Sequence, residues 1–344
     1  TEGDGGWVTS KDIDDIAMPA YDLFDIPPYT VNRAPVPRSE KFYFKKFKTI
    51  DLLTGRGCPF SCTFCGRLTR NYRKRNVDLI VEEMKYLMKT YDINTFAIED
   101  ELFMQARPWI EEFCEKVAPL NVEWRCQSRV TGLKLDILKK MRRAGCLRIT
   151  LGVEHGSEKI LDRMHKQITR DDIRNAVHMC RKAGIFPGTE LIIGMPGEDE
   201  ETVQETIDLF DELRLPARQM AYLQLLPGTP LFNEFCGHGL NIIGDHLQVL
   251  EDLSRDDGTL TKFIHNVSGL PDDELVRLKN WAEQTMSDNY QRNFKRERPI
   301  RYYFDKTVAA LGAFEGTNQL FYHKREDAIG GLVPSNIVNA QDHR

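Results

Sequence analysis

The chain has 344 residues, 47 of them Lys or Arg against 52 Asp or Glu, giving a formal net charge of -5. That balance excludes polyanion binding over the whole surface and leaves such a role only to local basic patches. With 41% hydrophobic and 29% charged residues, the composition is that of an ordinary globular protein of two or three domains and excludes wholesale disorder.

No apolar run approaches the roughly 18 residues of a membrane helix, and no charged, apolar, then small-residue leader opens the chain. The expectation is a soluble, cytoplasmic protein with no membrane partner. Residues 1–45 read as an extended, Pro-rich lead-in, because Pro19, Pro27, Pro28, Pro35 and Pro37 exclude long helices there. From Thr49 the texture changes to alternating strand and helix patterns. Residues 49–54 form a short β-prone run that ends in a loop. Asn76 caps a helix whose apolar positions Val77, Ile80, Val81, Met84, Leu87 and Met88 recur at three and four spacing. Residues 95–98 are the next strand, and Pro108 suits the first turn of the helix after it. Further strands fall at 122–127, 147–153, 189–193 and 219–226. Helices fall at 133–144, 158–164, 171–183 and 200–213, with Gly145 and Gly184 as stops.

Strands and helices alternating at about 30-residue intervals imply parallel βαβ units, in a doubly wound sheet or a barrel. The absence of GxGxxG after the first strand weighs against a dinucleotide fold. Residues 236–344 lose the alternation. They carry one clear helix, at 272–293, and then a basic, aromatic tail. The division expected is a 1–45 lead-in, a 46–235 α/β unit and a mainly helical 236–344 region that shapes the substrate site.

The chain has eight cysteines, too sparse for the disulfide scaffolds of small secreted domains. Cys114, Cys126, Cys146 and Cys180 sit in or beside apolar patterns and read as small hydrophobes. Cys58, Cys62 and Cys65 are different: they form CxxxCxxC directly after the first strand. Thiolates suit zinc or iron–sulfur clusters. A closed zinc site needs a fourth ligand at compact spacing, and the nearest candidates, Cys114 and His155, are remote. Three cysteines can instead hold three irons of a cubane and leave the fourth iron open to a ligand.

CxxxCxxC with an aromatic residue, Phe64, before the last cysteine resembles the signature of the radical S-adenosylmethionine (radical SAM) superfamily. The resemblance extends over about residues 17–235. It implies a partial (β/α)6 TIM-type barrel with parallel strands. It also implies a [4Fe–4S] cluster on Cys58, Cys62 and Cys65, S-adenosylmethionine on the open iron, and a reductant such as flavodoxin or ferredoxin. In that family one electron cleaves the cofactor to a 5′-deoxyadenosyl radical, which abstracts hydrogen from substrate.

Later segments match at successive strand ends, the face where parallel α/β barrels build their sites. Asp100 and Glu101 resemble the acidic segment that receives the cofactor's amino group; a solvated loop capping the next helix is the alternative. By the same resemblance, Ser128 and Arg129 lie near the ribose and carboxylate, although Arg129 also suits a structural salt bridge. Gly152-Val-Glu154-His155-Gly156-Ser157 resembles Gly-x-Glu-Ser-Gly-Ser, which assigns Glu154 to a ribose hydroxyl. His155 stands where the family has Ser, so its role is open. Ile193, before Gly194-Met-Pro196-Gly197, resembles the apolar edge that holds adenine, and Leu226 opens the corresponding turn after the sixth strand.

Within the superfamily the chain is most similar to the class that carries a cobalamin-binding domain, with Pro19-Ala-Tyr-Asp-Leu-Phe24 resembling its linker and Met164-x-Lys166 a further marker. It departs from that class in one respect: 57 residues precede the cluster motif and no Asp-x-His-x-x-Gly occurs. Either cobalamin comes from a domain outside this chain, or the protein is a member of the class that never had one. The function expected is hydrogen abstraction from a small biosynthetic substrate, for methylation or rearrangement at an unreactive carbon. One alternative is RNA modification, suggested by Arg67, Arg70, Arg73, Lys74 and Arg75 and by the tail with Tyr290, Arg292, Phe294, Lys295, Arg296, Arg298, Arg301, Tyr302 and Tyr303. The other is a non-catalytic iron–sulfur electron-transfer protein. Nucleic acid is not the expected partner.

Overall fold

The computed structural model describes residues 13–30, 47–66, 69–216, 219–235 and 265–297. Six parallel strands lie side by side in the order in which the chain visits them: β1 (Thr49–Leu52), β4 (Thr95–Ile98), β5 (Glu123–Arg129), β6 (Cys146–Glu154), β7 (Phe186–Ile193) and β8 (Ala221–Tyr222). Register runs through Ile50↔Phe96, Phe96↔Trp124, Cys126↔Ile149, Leu151↔Thr189 and Ile193↔Tyr222. Each crossover carries helix: α2 (Val77–Tyr91), α3 (Arg107–Val117), α4 (Leu135–Arg143), α5 (Glu158–Arg163) with α6 (Arg170–Ala183), and α7 (Glu200–Leu213). This is a partial (β/α)6 barrel. An antiparallel ribbon of β2 (Gly55–Arg56) and β3 (Arg73–Lys74) follows β1.

Strand alternation decides which side chains meet the helices. Phe96, Trp124, Cys126, Ile149, Leu151, Leu191 and Ile193 enter the main core beneath them. Phe103, Trp109, Phe113 and Trp124 interlock there with ring centroids 5.3–5.6 Å apart. Truncating a buried aromatic of this kind costs about 3–5 kcal/mol. The intervening residues point to the other face, where Arg125 pairs with Glu99, and Gln127 Nε2 donates to Glu99 at 2.8 Å. The helix starts follow local chemistry. Asn76 accepts from Asp78 N at 2.8 Å, and capping boxes open α6 (Thr169 with Asp172) and α7 (Asp199 with Thr202).

Three expectations change. Among residues 1–45, the described stretch 13–30 is not extended: it forms short turns at Ile13–Asp15 and Tyr21–Leu23 and a single helical turn, α1 (Pro27–Thr30). Ile13 and Ile26 are buried, and Tyr21 Oη donates to Glu83 of α2 at 2.6 Å, so this stretch docks on the barrel. β7 begins at Phe186, ahead of Thr189, because β8 pairs only with Ile192 and Ile193 and leaves one edge at Pro187 without a ladder to interrupt. β8 itself shrinks to Ala221–Tyr222, while Leu223 and Leu225 turn into a satellite apolar cluster.

After α8 (Pro230–Phe235), the next described helix is α9 (Asp272–Glu297). It lays Leu275, Leu278, Ala282 and Met286 into the main core, and its Glu283 accepts from Met220 N at 2.7 Å beside β8. Arg67, Cys236 and the tail residues Arg298, Arg301, Tyr302 and Tyr303 lie outside the described residues. Among the described residues no helix is long and apolar enough to cross a membrane.

Candidate functional site

The cysteine loop leaves the sheet at the end of β1 and is pinched at its base. Gly57 has φ +90°, and a Cβ there would lie 2.1 Å from the Asn71 carbonyl oxygen, so only glycine fits. Cys58 N donates to Thr69 O at 3.2 Å. Asp100 closes the neck. Its carboxylate accepts from Thr54 N (2.7 Å), Gly55 N (3.0 Å), Thr54 Oγ1 (2.5 Å) and Lys74 Nζ (2.6 Å). Lys74 lies 4.3 Å from the Trp109 ring centroid and 4.5 Å from that of Phe103. Burial pulls its ammonium below the ordinary lysine value, and Asp100 opposes that pull.

This corrects the expectation for Asp100. Its oxygens are spent inside the protein, 2% exposed, and it offers no free carboxylate to a ligand. Exposed Glu101 keeps its carboxylate free among the described residues.

Farther along the loop, Thr63 N donates to Met164 O at 2.9 Å, and Leu231 N donates to Thr63 O at 3.0 Å. Phe64 packs on the satellite cluster of Ile160, Met164, Met195, Leu223, Leu225 and Leu231. Leu226 lies against the residue after Cys65: a Cβ on Gly66 would sit 3.0 Å from its Cδ1. Cys62 is buried, Cys58 half-buried and Cys65 exposed. Although the residue as a whole is exposed, desolvation by the protein around its thiol pushes Cys65 up to about 11, with Cys62 and Cys58 adding to the rise and Lys166 opposing it. Among the described residues no three Cys, His, Asp or Glu side chains form a site for a single metal ion. Three soft thiols on one short loop suit an iron–sulfur cluster, in which each sulfur takes its own iron.

Glu154 ends β6 with φ +63°, rare for a non-glycine residue, at a break in the β6–β7 register. Its Oε1 accepts from Lys166 Nζ at 2.5 Å, and both side chains are nearly buried (11% and 6% exposed). Gly152 makes room for them, since a Cβ there would meet Glu154 Oε1 at 2.7 Å and Lys166 Nζ at 2.9 Å. The Lys166 ammonium lies 6.0 Å from the Phe64 ring centroid. It has three N–H donors, and among the described residues Glu154 is its only hydrogen-bond partner. Nearby, buried Ser128 Oγ and Arg129 Nε lack partners among the described residues. These buried groups keep unspent hydrogen-bonding capacity beside the cysteine loop. The sequence marks Lys166 only as part of Met164-x-Lys166; its closeness to Phe64 and Cys65 arises from the positive-φ turn at His165 and Gln167.

Ile193 does not face this site. It is fully buried among the helices, and by alternation its neighbour Ile192 turns to the satellite cluster beside Phe64. Only the backbone of Ile193 remains at the strand end, where its carbonyl accepts from Leu223 N at 2.8 Å. Arg129 Nη1 donates to Cys62 Sγ at 3.6 Å, and Nη2 donates to the Lys166 carbonyl. It forms no salt bridge among the described residues. His155, fully buried, pairs through Nε2 with Glu198 at 2.9 Å.

A half-barrel of parallel strands with three cysteines on the loop after its first strand defines a class of cluster-bearing α/β proteins. Residues 52–210 match the profile of the Radical SAM superfamily, whose members use a [4Fe–4S] cluster and S-adenosylmethionine. Two similar proteins are anaerobic magnesium-protoporphyrin IX monomethyl ester cyclases. The one from Cereibacter sphaeroides is 33% identical over 187 residues, 52% of this chain and 31% of that protein. The one from Rubrivivax gelatinosus is 28% identical over 299 residues, 83% of this chain and 51% of that protein. A third, the uncharacterized methyltransferase PH0819 from Pyrococcus horikoshii, is 28% identical over 227 residues, 64% of this chain and 47% of that protein. The chain thus spans about half or less of the length of these relatives.

Proposed function

We propose that the chain is the catalytic barrel of a radical SAM enzyme that removes hydrogen from an unreactive carbon of a small biosynthetic substrate, leading to methylation or to a rearrangement such as ring closure. One observation carries this reading: the three-cysteine loop meets a buried, incompletely satisfied Lys166–Glu154 pair at the strand ends. Cys58, Cys62 and Cys65 would hold the cluster. Bound there, cluster and S-adenosylmethionine together supply the 5′-deoxyadenosyl radical. Lys166 would offer its spare N–H groups to the cofactor's carboxylate, a charge-assisted contact. Glu154 and Ser128 would take ribose hydroxyls, and Glu101 the ammonium. Phe64, Ile192 and Leu226 would give adenine an apolar wall, with the Ile193 backbone beside it.

The names of the relatives, cyclases and a methyltransferase, support the two outcomes. Residues 46–235 would form the barrel and 236–344 the region shaping the substrate. Cobalamin would be a third cofactor, carried by a domain outside these residues. A flavodoxin or ferredoxin in the cytoplasm would supply the electron, a compartment that suits the free cysteines. The test is anaerobic incubation of the complete natural protein with S-adenosylmethionine and dithionite. Formation of 5′-deoxyadenosine, lost in Cys62→Ala, is expected; a loaded protein that leaves the cofactor intact is an electron carrier and overturns the proposal.

A further inference from the structure

Arg129 is 7% exposed at the end of β5, and its guanidinium has unusual company. Nη1 donates to Cys62 Sγ at 3.6 Å, Nη2 to the Lys166 carbonyl, and Cζ stacks 3.8 Å from the Phe60 ring centroid. Among the described residues no carboxylate pairs with it, and Nε has no partner. An arginine does not shed its proton in a protein, and a buried charge is costly unless an anion answers it. A carbonyl and a ring are dipolar partners only. Among the described hydrogen-bond partners of the guanidinium, the Cys62 sulfur is the one that can carry a full negative charge, once it is a metal-bound thiolate.

We propose that Arg129 is a positioning residue for electron entry: its charge-assisted N–H···S bond to Cys62 raises the reduction potential of the cluster that the cysteine loop holds. Reduction adds one electron, and hence one negative charge, with no bond made or broken. A fixed cation on a ligand sulfur stabilises that added charge more than the oxidised state, and hydrogen bonds to ligand sulfurs set such potentials. The inference rests on the iron–sulfur reading given above and departs from the assignment of Arg129 to the cofactor's carboxylate.

The test is a redox titration of the anaerobically reconstituted full chain, followed by electron paramagnetic resonance of the reduced cluster. A parent protein that loads no cluster would sink the iron–sulfur reading itself, before Arg129 is in question. With iron content matched to the parent, Arg129→Gln should be at least tenfold harder to reduce, which is about 59 mV for one electron. Arg129→Lys, which keeps the charge but loses the planar fork, should fall between the two. An unchanged potential in Arg129→Gln, with weakened S-adenosylmethionine binding, would overturn the proposal in favour of a cofactor contact. Should the variants fail to load iron, the parent decides: protein carrying 15N-arginine should show 15N hyperfine coupling to the reduced cluster, and its absence would equally overturn the proposal.

Discussion

His155 Nε2 lies 2.9 Å from Glu198 Oε1, and both side chains are fully buried. His155 Nδ1 accepts from Ser157 N at 3.0 Å, so the ring proton sits on Nε2 and is donated to Glu198. The other Glu198 oxygen accepts from Gly194 N (2.5 Å) and Met195 N (2.9 Å). The pair therefore joins the turn after β6 to the turn after β7, two neighbouring walls of the site. This accounts for a histidine where the resemblance leads one to expect serine: the longer side chain spans from β6 to the β7 turn.

Replacing His155 with Phe keeps the volume but removes the donor to a buried carboxylate. A hydrogen bond to a charged group contributes about 1.5–3 kcal/mol, and urea unfolding should register a loss of that size. His155→Gln, which can still donate, should recover part of it.

Asp100 and Lys74 form a buried ion pair, 1% and 6% exposed. Removing one partner strands the other, at about 3–5 kcal/mol. Asp100→Leu and Lys74→Met should each destabilise by that order, and the double variant should be less damaged than the sum of the two. A double-mutant cycle with additive losses would contradict the pairing. Glu101→Gln, at an exposed site, should leave stability unchanged.

Gly152→Ala would push a methyl group against Glu154 Oε1 and Lys166 Nζ. Both are ends of flexible side chains, so the fold should survive at about 1–3 kcal/mol. The displaced pair should bind S-adenosylmethionine at least about tenfold more weakly, roughly 1.4 kcal/mol, by calorimetric titration of the loaded protein.

Much of this arrangement is legible in the sequence because it is local. The period of Val77, Ile80, Val81 and Met84, the Asn76 cap and the Gly184 stop are read from neighbours in the chain. So is the spacing of Cys58, Cys62 and Cys65. Asp100 misleads because its partners, Thr54 and Lys74, are 46 and 26 positions away, and an acidic segment reads alike whether its carboxylate turns in or out. Ile192 and Ile193 are both apolar neighbours, so only the strand's orientation tells which one faces the site. Lys166 reaches Glu154 through positive-φ turns at His165 and Gln167, which no residue pattern announces.

Asp199 caps α7, accepting from Thr202 N at 2.9 Å. That backbone bond, and then Lys159, hold its carboxyl below the usual aspartate range. A lowered folded-state value means stability that is present above the unfolded aspartate value of about 3.9 and is lost as pH falls through the folded one. Asp199→Ala should therefore cost about 0.5–2 kcal/mol near neutral pH. The difference from the parent should shrink in melts taken in progressively more acidic buffer.

The cluster proposed on Cys58, Cys62 and Cys65 would leave one iron open to S-adenosylmethionine, with Lys166 and Glu154 helping to bind that cofactor. The most direct test of this claim is the electron paramagnetic resonance spectrum of the reduced, reconstituted protein recorded with and without S-adenosylmethionine. About four irons per chain, a spectrum that changes when the cofactor is added, and a smaller change at equal cofactor concentration in Lys166→Met are predicted. A full cluster retained in Cys62→Ala, or a parent spectrum indifferent to the cofactor, would contradict the claim.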